Sequence, residues 1–197
     1  MLKDENTRLR VLAEHDWLTG LYNRRGIEQR LSALFGEPET LGHSAVVMAD
    51  ADNLKMINDT YGHDAGDVYL REIAGLFRDF GPKDCVSARL GGDEFLLFLY
   101  HYGSEQELTD AVALLADLQE HSSAALSDRL QVPLRFSFGC CLTGPSADYE
   151  TLVKAADEKM YENKRARHAV TAAEQTASVQ MSPQAPPAQS PPHIPPR

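Results

Sequence analysis

Two apolar runs separated by a pair of glycines and two acids constrain the fold of this chain most strongly. The runs cover residues 85–88 and 95–100, and Gly-Gly-Asp-Glu occupies residues 91–94 between them. Apolar runs rich in Val, Phe and Leu on either side of Gly-Gly predict a β-hairpin, because glycine reaches the positive φ that a tight turn needs. Without side chains, Gly91 and Gly92 would also let a bulky anion approach the backbone. Taken alone, these residues are more typical of a solvated hairpin tip with two surface acids.

The composition is that of a soluble globular domain. The chain has 197 residues, 43% of them hydrophobic and 24% charged, which is enough for one domain with a real core. The formal net charge of −10 argues against a nucleic-acid partner, since such proteins need basic patches to replace counterions. We expect no membrane span and a cytoplasmic location, because no long apolar run and no signal-peptide core are present.

Periodicity and turn residues divide the chain into three parts. Residues 1–15 predict an N-terminal helix, with Leu2, Leu9 and Leu12 near heptad spacing. It is either a dimerising signalling helix or a simple cap helix. Residues 16–168 predict a mixed domain in the order helix, strand, helix pair, hairpin, helix, strand, helix. Residues 169–197 are rich in Pro, Gln, Ala and Ser, and we expect them to be disordered.

A second pair of acids ends another predicted strand. An apolar run over residues 44–49 leads directly into Asp50 and Asp52. Sequential strands tend to be neighbours in a sheet, so Asp50 would face Asp93 at the hairpin turn. Converging carboxylates suit Mg²⁺, and two such ions can align an attacking and a leaving oxygen in nucleotidyl transfer. Without a cation these like charges would repel, so a metal site is the better interpretation.

Six sequence blocks together resemble the GGDEF domains, which are diguanylate cyclases. The blocks, in chain order, are Asp16-Trp17-Leu18-Thr19-Gly20-Leu21 with Asn23-Arg24-Arg25; Asp50-Ala51-Asp52-Asn53-Leu54-Lys55 with Asn58-Asp59; Gly62-His63 with Gly66-Asp67; Arg89-Leu90-Gly91-Gly92-Asp93-Glu94-Phe95; Ser137-Phe138-Gly139; and Ala156-Asp157-Glu158-Lys159-Met160-Tyr161 with Lys164. The resemblance implies an α/β (α+β) fold, a single domain whose central, mostly antiparallel sheet of about five strands is flanked by helices. It also implies that two facing domains, each with one GTP, join the nucleotides into cyclic di-GMP and release pyrophosphate.

The resemblance also implies a metal and catalytic set. Asp50 and Asp93 would hold Mg²⁺ (or Mn²⁺), two ions per site, through carboxylates, and Ala51 would contribute its carbonyl. Asp93 is the family's usual candidate for accepting the 3′-hydroxyl proton, with Glu94 as a competing candidate that spacing cannot separate. Lys55 would place its ammonium on the phosphates.

The nucleotide-binding residues follow from the same resemblance. Asn58 and Asp67 would read guanine, since a carboxylate can accept from the N1–H and N2–H₂ edge, which adenine does not offer. His63 would lie next to the nucleotide. The remaining contacts to the phosphates would come from Gly91, Gly92 and Lys164.

One departure from the family pattern, one expectation about assembly and two alternatives accompany this interpretation. The Arg-x-x-Asp feedback motif of some family members is replaced by Pro82 and Cys85, so we expect no product inhibition through that site. The expected active unit is a homodimer, formed through the short N-terminal helix or with a separate regulatory protein. One alternative is a catalytically weak module that binds GTP or cyclic di-GMP to regulate a partner. The other is a cyclase that uses ATP, which Asp67 disfavours.

Overall fold

The helices and strands follow the predicted order. The structure is a computed structural model that describes residues 2–36, 42–80, 85–124, 129–143 and 148–180. The elements are α1 Leu2–Glu14, α2 Arg24–Phe35, β1 Ala45–Ala51, α3 Leu54–Tyr61, α4 His63–Asp79, β2 Cys85–Gly91, β3 Glu94–Leu99, α5 Glu105–Ala124, β4 Phe136–Leu142 and α6 Tyr149–Gln180.

The four strands that the structure describes form one antiparallel sheet in the order β2-β3-β1-β4. About five strands were predicted. The described residues that follow β4 belong to α6, so this part of the chain supplies no fifth strand. At the β2 edge the additional pairing is a single parallel bridge between Tyr22 and Ala88. The hairpin and its antiparallel neighbour are as the sequence predicted.

Side chains alternate across β1 and bury one helix layer on each face of the sheet. One face packs Val47 and Ala49 against α3, α4 and α5, and the other packs Val46 and Met48 against α2 and α6. Because β1 lies between two strands and two helix layers, every one of its residues is buried. Its last residues therefore hold polar groups at a fixed place beside the core.

Capping explains where α2 begins. Asn23 has extended backbone and its side chain accepts a 2.8 Å hydrogen bond from the Gly26 amide. Gly26 has no room for a side chain, because a Cβ there would lie 2.0 Å from the Glu14 carbonyl oxygen. The end of α1 and the start of α2 are therefore held in close contact.

The last helix departs from the prediction. Residues from 169 onward were expected to be disordered, but α6 continues to Gln180. Residues 168–180 contain neither proline nor glycine, and the prolines of this segment begin at Pro183, so nothing in the sequence stops the helix earlier. Residues 181–197 lie outside the described residues.

The chain divides into two compact units, Met1–Lys164 and Arg165–Arg197, and the site described below belongs to the first. Among the described residues, no helix has the length and apolarity needed to cross a membrane.

Candidate functional site

The register between β1 and β3 brings the two acidic segments together. Asp50 is the direct cross-strand partner of Glu94, and the Ala51 amide donates a 2.9 Å hydrogen bond to the Asp93 carbonyl. Asp50 was predicted to face Asp93, whereas the register sets it opposite Glu94, with Asp93 one residue earlier in the turn. Two segments more than forty residues apart thus place their carboxylates at one end of the sheet.

An arginine holds the hairpin turn. The chain takes positive φ at both glycines, 146° at Gly91 and 54° at Gly92, so side chains there would be strained. Arg89 donates from Nε and Nη2 to the Gly92 carbonyl at 3.0 and 2.8 Å. Its Nη1 donates to Asp16 Oδ1 at 3.2 Å. No role for Arg89 or Asp16 was predicted, although both stand in blocks that carried the resemblance.

Lys164 reaches Asp50 from α6. Its Nζ lies 2.6 Å from Asp50 Oδ1, and both side chains are mostly buried. Burial raises the pKa of Asp50, the Lys164 hydrogen bond lowers it, and the nearby Asp93 and Asp52 charges raise it again, with a net value of about 6. Although burial alone would lower it, the pKa of Lys164 is raised by Asp50 and by the charges of Asp52 and Asp93. The three carboxyl groups of Asp50, Asp52 and Asp93 form an acidic cluster around the single ammonium of Lys164. One positive charge does not neutralise this cluster when all three groups are ionised.

Asp52 is a third carboxyl group near Asp50 and Asp93. It is 4% exposed, and the Ser137 hydroxyl donates to both of its carboxylate oxygens at 3.1 and 2.9 Å. Its position two residues after Asp50 was noted in the sequence, but no role was predicted. A buried carboxylate with few donors favours a cation nearby.

The available donors fit a hard cation. Asp50 on β1 and Asp93 in the neighbouring hairpin turn offer carboxylate oxygens, and Ala51, whose amide is bonded to the Asp93 carbonyl, lies between Asp50 and Asp52 in the chain. Within the described part of the chain, no three His, Cys, Asp or Glu side chains form a complete metal cage. Mg²⁺ is usually bound by one or two carboxylates together with water and phosphate, so such a cage is not required.

Glu94 is held apart from this cluster. Its Oε2 lies 3.8 Å from Arg24 Nη2 on α2. Both residues line a groove of about 810 Å³ between α2 and α6, which Lys154 also lines. The two adjacent carboxylates of the hairpin therefore have different environments, which the sequence did not reveal.

The expected guanine-reading residues come together at the junction of α3 and α4. The Asn58 side chain packs against Gly66, where a Cβ would lie 1.9 Å from Asn58 Oδ1. Asp67 follows Gly66 and lies 3.9 Å from Arg71. His63 is the exposed first residue of α4. Lys55, in the first turn of α3, is exposed and forms no ion pair with another described residue.

Comparison with known proteins agrees with this geometry. The model of the family described as "Diguanylate cyclase, GGDEF domain" matches residues 13–169. The chain is 36% identical over 166 residues to diguanylate cyclase DgcN of Escherichia coli, covering 84% of this chain and 40% of that protein. It is 40% identical over 167 residues to diguanylate cyclase TpbB of Pseudomonas aeruginosa, covering 83% and 38%.

Solved structures share the fold. Diguanylate cyclase SiaD of P. aeruginosa, in complex with its activator SiaC, superimposes with a TM-score of 0.70 at 30% identity, over 84% of this chain and 64% of that one. The coiled coil and GGDEF domain of DgcB from Caulobacter crescentus, in complex with c-di-GMP, has a TM-score of 0.73 at 23% identity, over 84% and 87%.

The antiparallel sheet, its Gly-Gly-Asp-Glu hairpin and the flanking helices define a GGDEF-type domain. The chain belongs to the GGDEF family of diguanylate cyclases. It spans about two fifths of the length of the curated relatives DgcN and TpbB.

Proposed function

We propose that this domain condenses two GTP molecules into cyclic di-GMP. Each 3′-hydroxyl attacks the α-phosphate of the other nucleotide, forming a 3′–5′ phosphodiester and expelling pyrophosphate, so that two bonds form and two pyrophosphates leave. The observation that carries this proposal is the β1–β3 register, with Asp50 opposite Glu94 and hydrogen-bonded to Lys164. The named activity of the relatives over most of this chain supports it.

Asp50, Asp93 and the Ala51 carbonyl would hold two Mg²⁺ (or Mn²⁺) ions. Bound there, the metal would neutralise the triphosphate and lower the pKa of the attacking hydroxyl. Lys55 and Lys164 would stabilise the phosphate charge, and the bare backbone of Gly91 and Gly92 leaves room for the phosphates. Asn58 and Asp67 would read guanine, with His63 beside the nucleotide.

We assign the proton-accepting role to Asp93. Glu94 has a partner in Arg24, whereas the charge of Asp93 acts directly on Asp50. Glu94 would instead hold the hairpin against α2. Replacing Asp93 with Asn should lower kcat by at least about 100-fold, the usual contribution of a general base, and Glu94→Gln should cost less. The reverse order of effects would transfer the role to Glu94.

Catalysis needs a second domain, because one subunit supplies half of the reacting pair. We assign dimerisation to α1, where Leu9 and Leu12 are 59% and 70% exposed, three residues apart on the helix surface. A separate regulatory protein is the second route to pairing. The named SiaD–SiaC complex is an example of a cyclase with an activator.

The test is direct. Purified protein is incubated with GTP and Mg²⁺, and the products are separated by chromatography, with EDTA and ATP reactions as controls. We expect cyclic di-GMP and pyrophosphate in the reaction with GTP and Mg²⁺, and neither product in the EDTA and ATP controls. If no product forms even when a dimeric coiled coil is fused to the N-terminus, the domain is a binding module, and its affinity for GTP and cyclic di-GMP is then measured.

Feedback through the Arg-x-x-Asp position should be absent. Pro82 lies outside the described residues, while Cys85 begins β2. Neither side chain carries the charge needed to bind a phosphate or a guanine edge. Added cyclic di-GMP should therefore not inhibit the enzyme through this position, and non-competitive inhibition abolished by substitutions there would contradict this expectation.

A further inference from the structure

We propose that the Lys164 ammonium takes the place of the metal in the nucleotide-free site and leaves Asp50 when the triphosphate arrives. This inference rests on the proposed function and adds an order of events to it. Its basis is the 2.6 Å contact between Lys164 Nζ and Asp50 Oδ1, the same carboxylate that is assigned to the metal. The Asp50 carboxylate is therefore the proposed partner of two cations, the Lys164 ammonium and the metal ion.

The neighbourhood of the pair explains why the lysine is held there. The side chains of Lys164 and Asp50 are 27% and 12% exposed, so solvent screens their interaction only in part. Asp52, Asp93 and Asp50 together present three carboxylates to one ammonium. Because like charges gathered in this way repel one another, a cation among them is favoured whenever they are ionised.

The packing of α6 on the sheet leaves the helix backbone that carries Lys164 with little freedom to move. Gly139 of β4 lets the helix backbone pack directly on the sheet, because a Cβ there would lie 2.1 Å from the Met160 amide nitrogen. Lys159 is fixed one turn earlier by a 2.9 Å hydrogen bond to the Cys140 carbonyl. A movement of the Lys164 side chain alone, and not of the helix, therefore releases Asp50.

The consequence is a linkage between metal and nucleotide. A divalent ion that binds Asp50 in the free protein must displace the ammonium and leave it without a partner. A triphosphate offers that ammonium new oxygen acceptors, so the nucleotide frees Asp50 for the metal. By reciprocity, the metal must raise the affinity for nucleotide by the same factor.

The first experiment measures Mn²⁺ binding to the nucleotide-free protein by electron paramagnetic resonance. Lys164→Met should bind Mn²⁺ about tenfold more tightly than the unmodified protein, within the range typical of coupled sites. Lys164→Arg keeps the charge and should stay near the unmodified affinity. Lys154→Met, on the same helix in the α2–α6 groove, removes an equal charge away from Asp50 and is the matched control.

The second experiment measures the linkage itself. The nucleotide 3′-deoxy-GTP lacks the attacking hydroxyl, so its affinity can be measured by calorimetry without turnover, in EDTA and in saturating Mg²⁺. The ratio of the two affinities should be about tenfold smaller in Lys164→Met than in the unmodified protein. Circular dichroism of each variant confirms that it is folded.

Two results would overturn the inference: unchanged or weaker Mn²⁺ binding in Lys164→Met, or equal affinity ratios in both proteins. Both readouts are independent of product formation. A protein that shows the linkage but makes no cyclic di-GMP would refute the proposed function and keep the inference. If cyclic di-GMP forms but Lys164→Met does not change metal binding, the inference is refuted and the proposed function is kept.

Discussion

Asp16 and Arg89 are separated by 73 positions in the chain and form an ion pair, with 3.2 Å between Oδ1 and Nη1. The same guanidinium holds the Gly92 carbonyl, so the segment that follows α1 is tied to the turn of the acidic hairpin. Although burial opposes ionisation of Asp16, hydrogen bonds from Thr19 and the charge of Arg89 lower its pKa overall. The carboxylate is therefore ionised at neutral pH and keeps Arg89 directed at the turn.

Replacing Asp16 with Asn should destabilise the domain by about 1.5–3 kcal/mol, the usual range for hydrogen bonds to charged groups. The free energy of unfolding in urea measures the effect. Arg10→Gln removes the exposed Arg10–Glu14 pair and should change stability by less than about 0.5 kcal/mol. A similar, small effect of both substitutions would show that the Asp16–Arg89 pair contributes no more than a surface pair.

Replacing Gly66 with Ala should weaken GTP binding while the fold survives. The added Cβ would lie 1.9 Å from Asn58 Oδ1, so the Asn58 amide must turn away from its place against Gly66. We expect KM for GTP to rise roughly tenfold, about the effect of one lost hydrogen bond. Gly75→Ala on the same helix has no atom within 4 Å of the new Cβ and should leave KM unchanged. An unchanged KM in Gly66→Ala would argue against Asn58 as a guanine contact.

Replacing Gly139 with Ala should loosen α6. The new Cβ would lie 2.1 Å from the Met160 nitrogen and 2.2 Å from the Ala156 oxygen, and backbone atoms cannot step aside as a side chain can. Overpacking of this kind costs about 1–3 kcal/mol, which denaturant unfolding would detect. Because Lys164 is carried by the same helix, we also expect slower turnover at saturating GTP. A stability equal to that of the unmodified protein would mean that α6 is free to shift.

The stability of the metal-free domain should fall as the pH rises from about 4 to about 6. The pKa of Asp50 is about 6 in the folded protein and 3.8 for the free side chain, so the folded state binds the extra proton in this window. A raised carboxyl pKa stabilises the folded state only while the group is protonated. Tm measured in EDTA should therefore fall more steeply for the unmodified protein than for Asp50→Asn. Parallel pH profiles of the two proteins in EDTA would contradict this expectation.

Sequence reasoning succeeded where local rules decide the structure. Gly91 and Gly92 turned the hairpin, as predicted, and β1 lies beside the hairpin, although it pairs with the second hairpin strand, β3, and not with the next strand in sequence, β2. The sequence did not predict that Arg89 contacts Asp16 or that Glu94 contacts Arg24. The direction of a long side chain depends on elements that are far away in sequence.

The helix α6 extends beyond the predicted domain end at residue 168 for a different reason, and the prediction of disorder stays a prediction for the residues after it. Composition was averaged across residues 169–197, while the first part of that segment is free of proline and the rest is rich in it. Helix formation depends on the local residues, so α6 continues to Gln180.

The central position of β1 limits how this site can evolve. Asp50 lies in register with Glu94 on one side and Ser137 on the other, and its neighbours Ala49 and Ala51 point into the opposite core. Insertion or deletion of one residue in β1 would turn Asp50 into that core and bring an alanine to the metal position. Mutation can therefore exchange side chains within this strand but cannot change its length, and variation among such domains should accumulate in the loops between the strands instead.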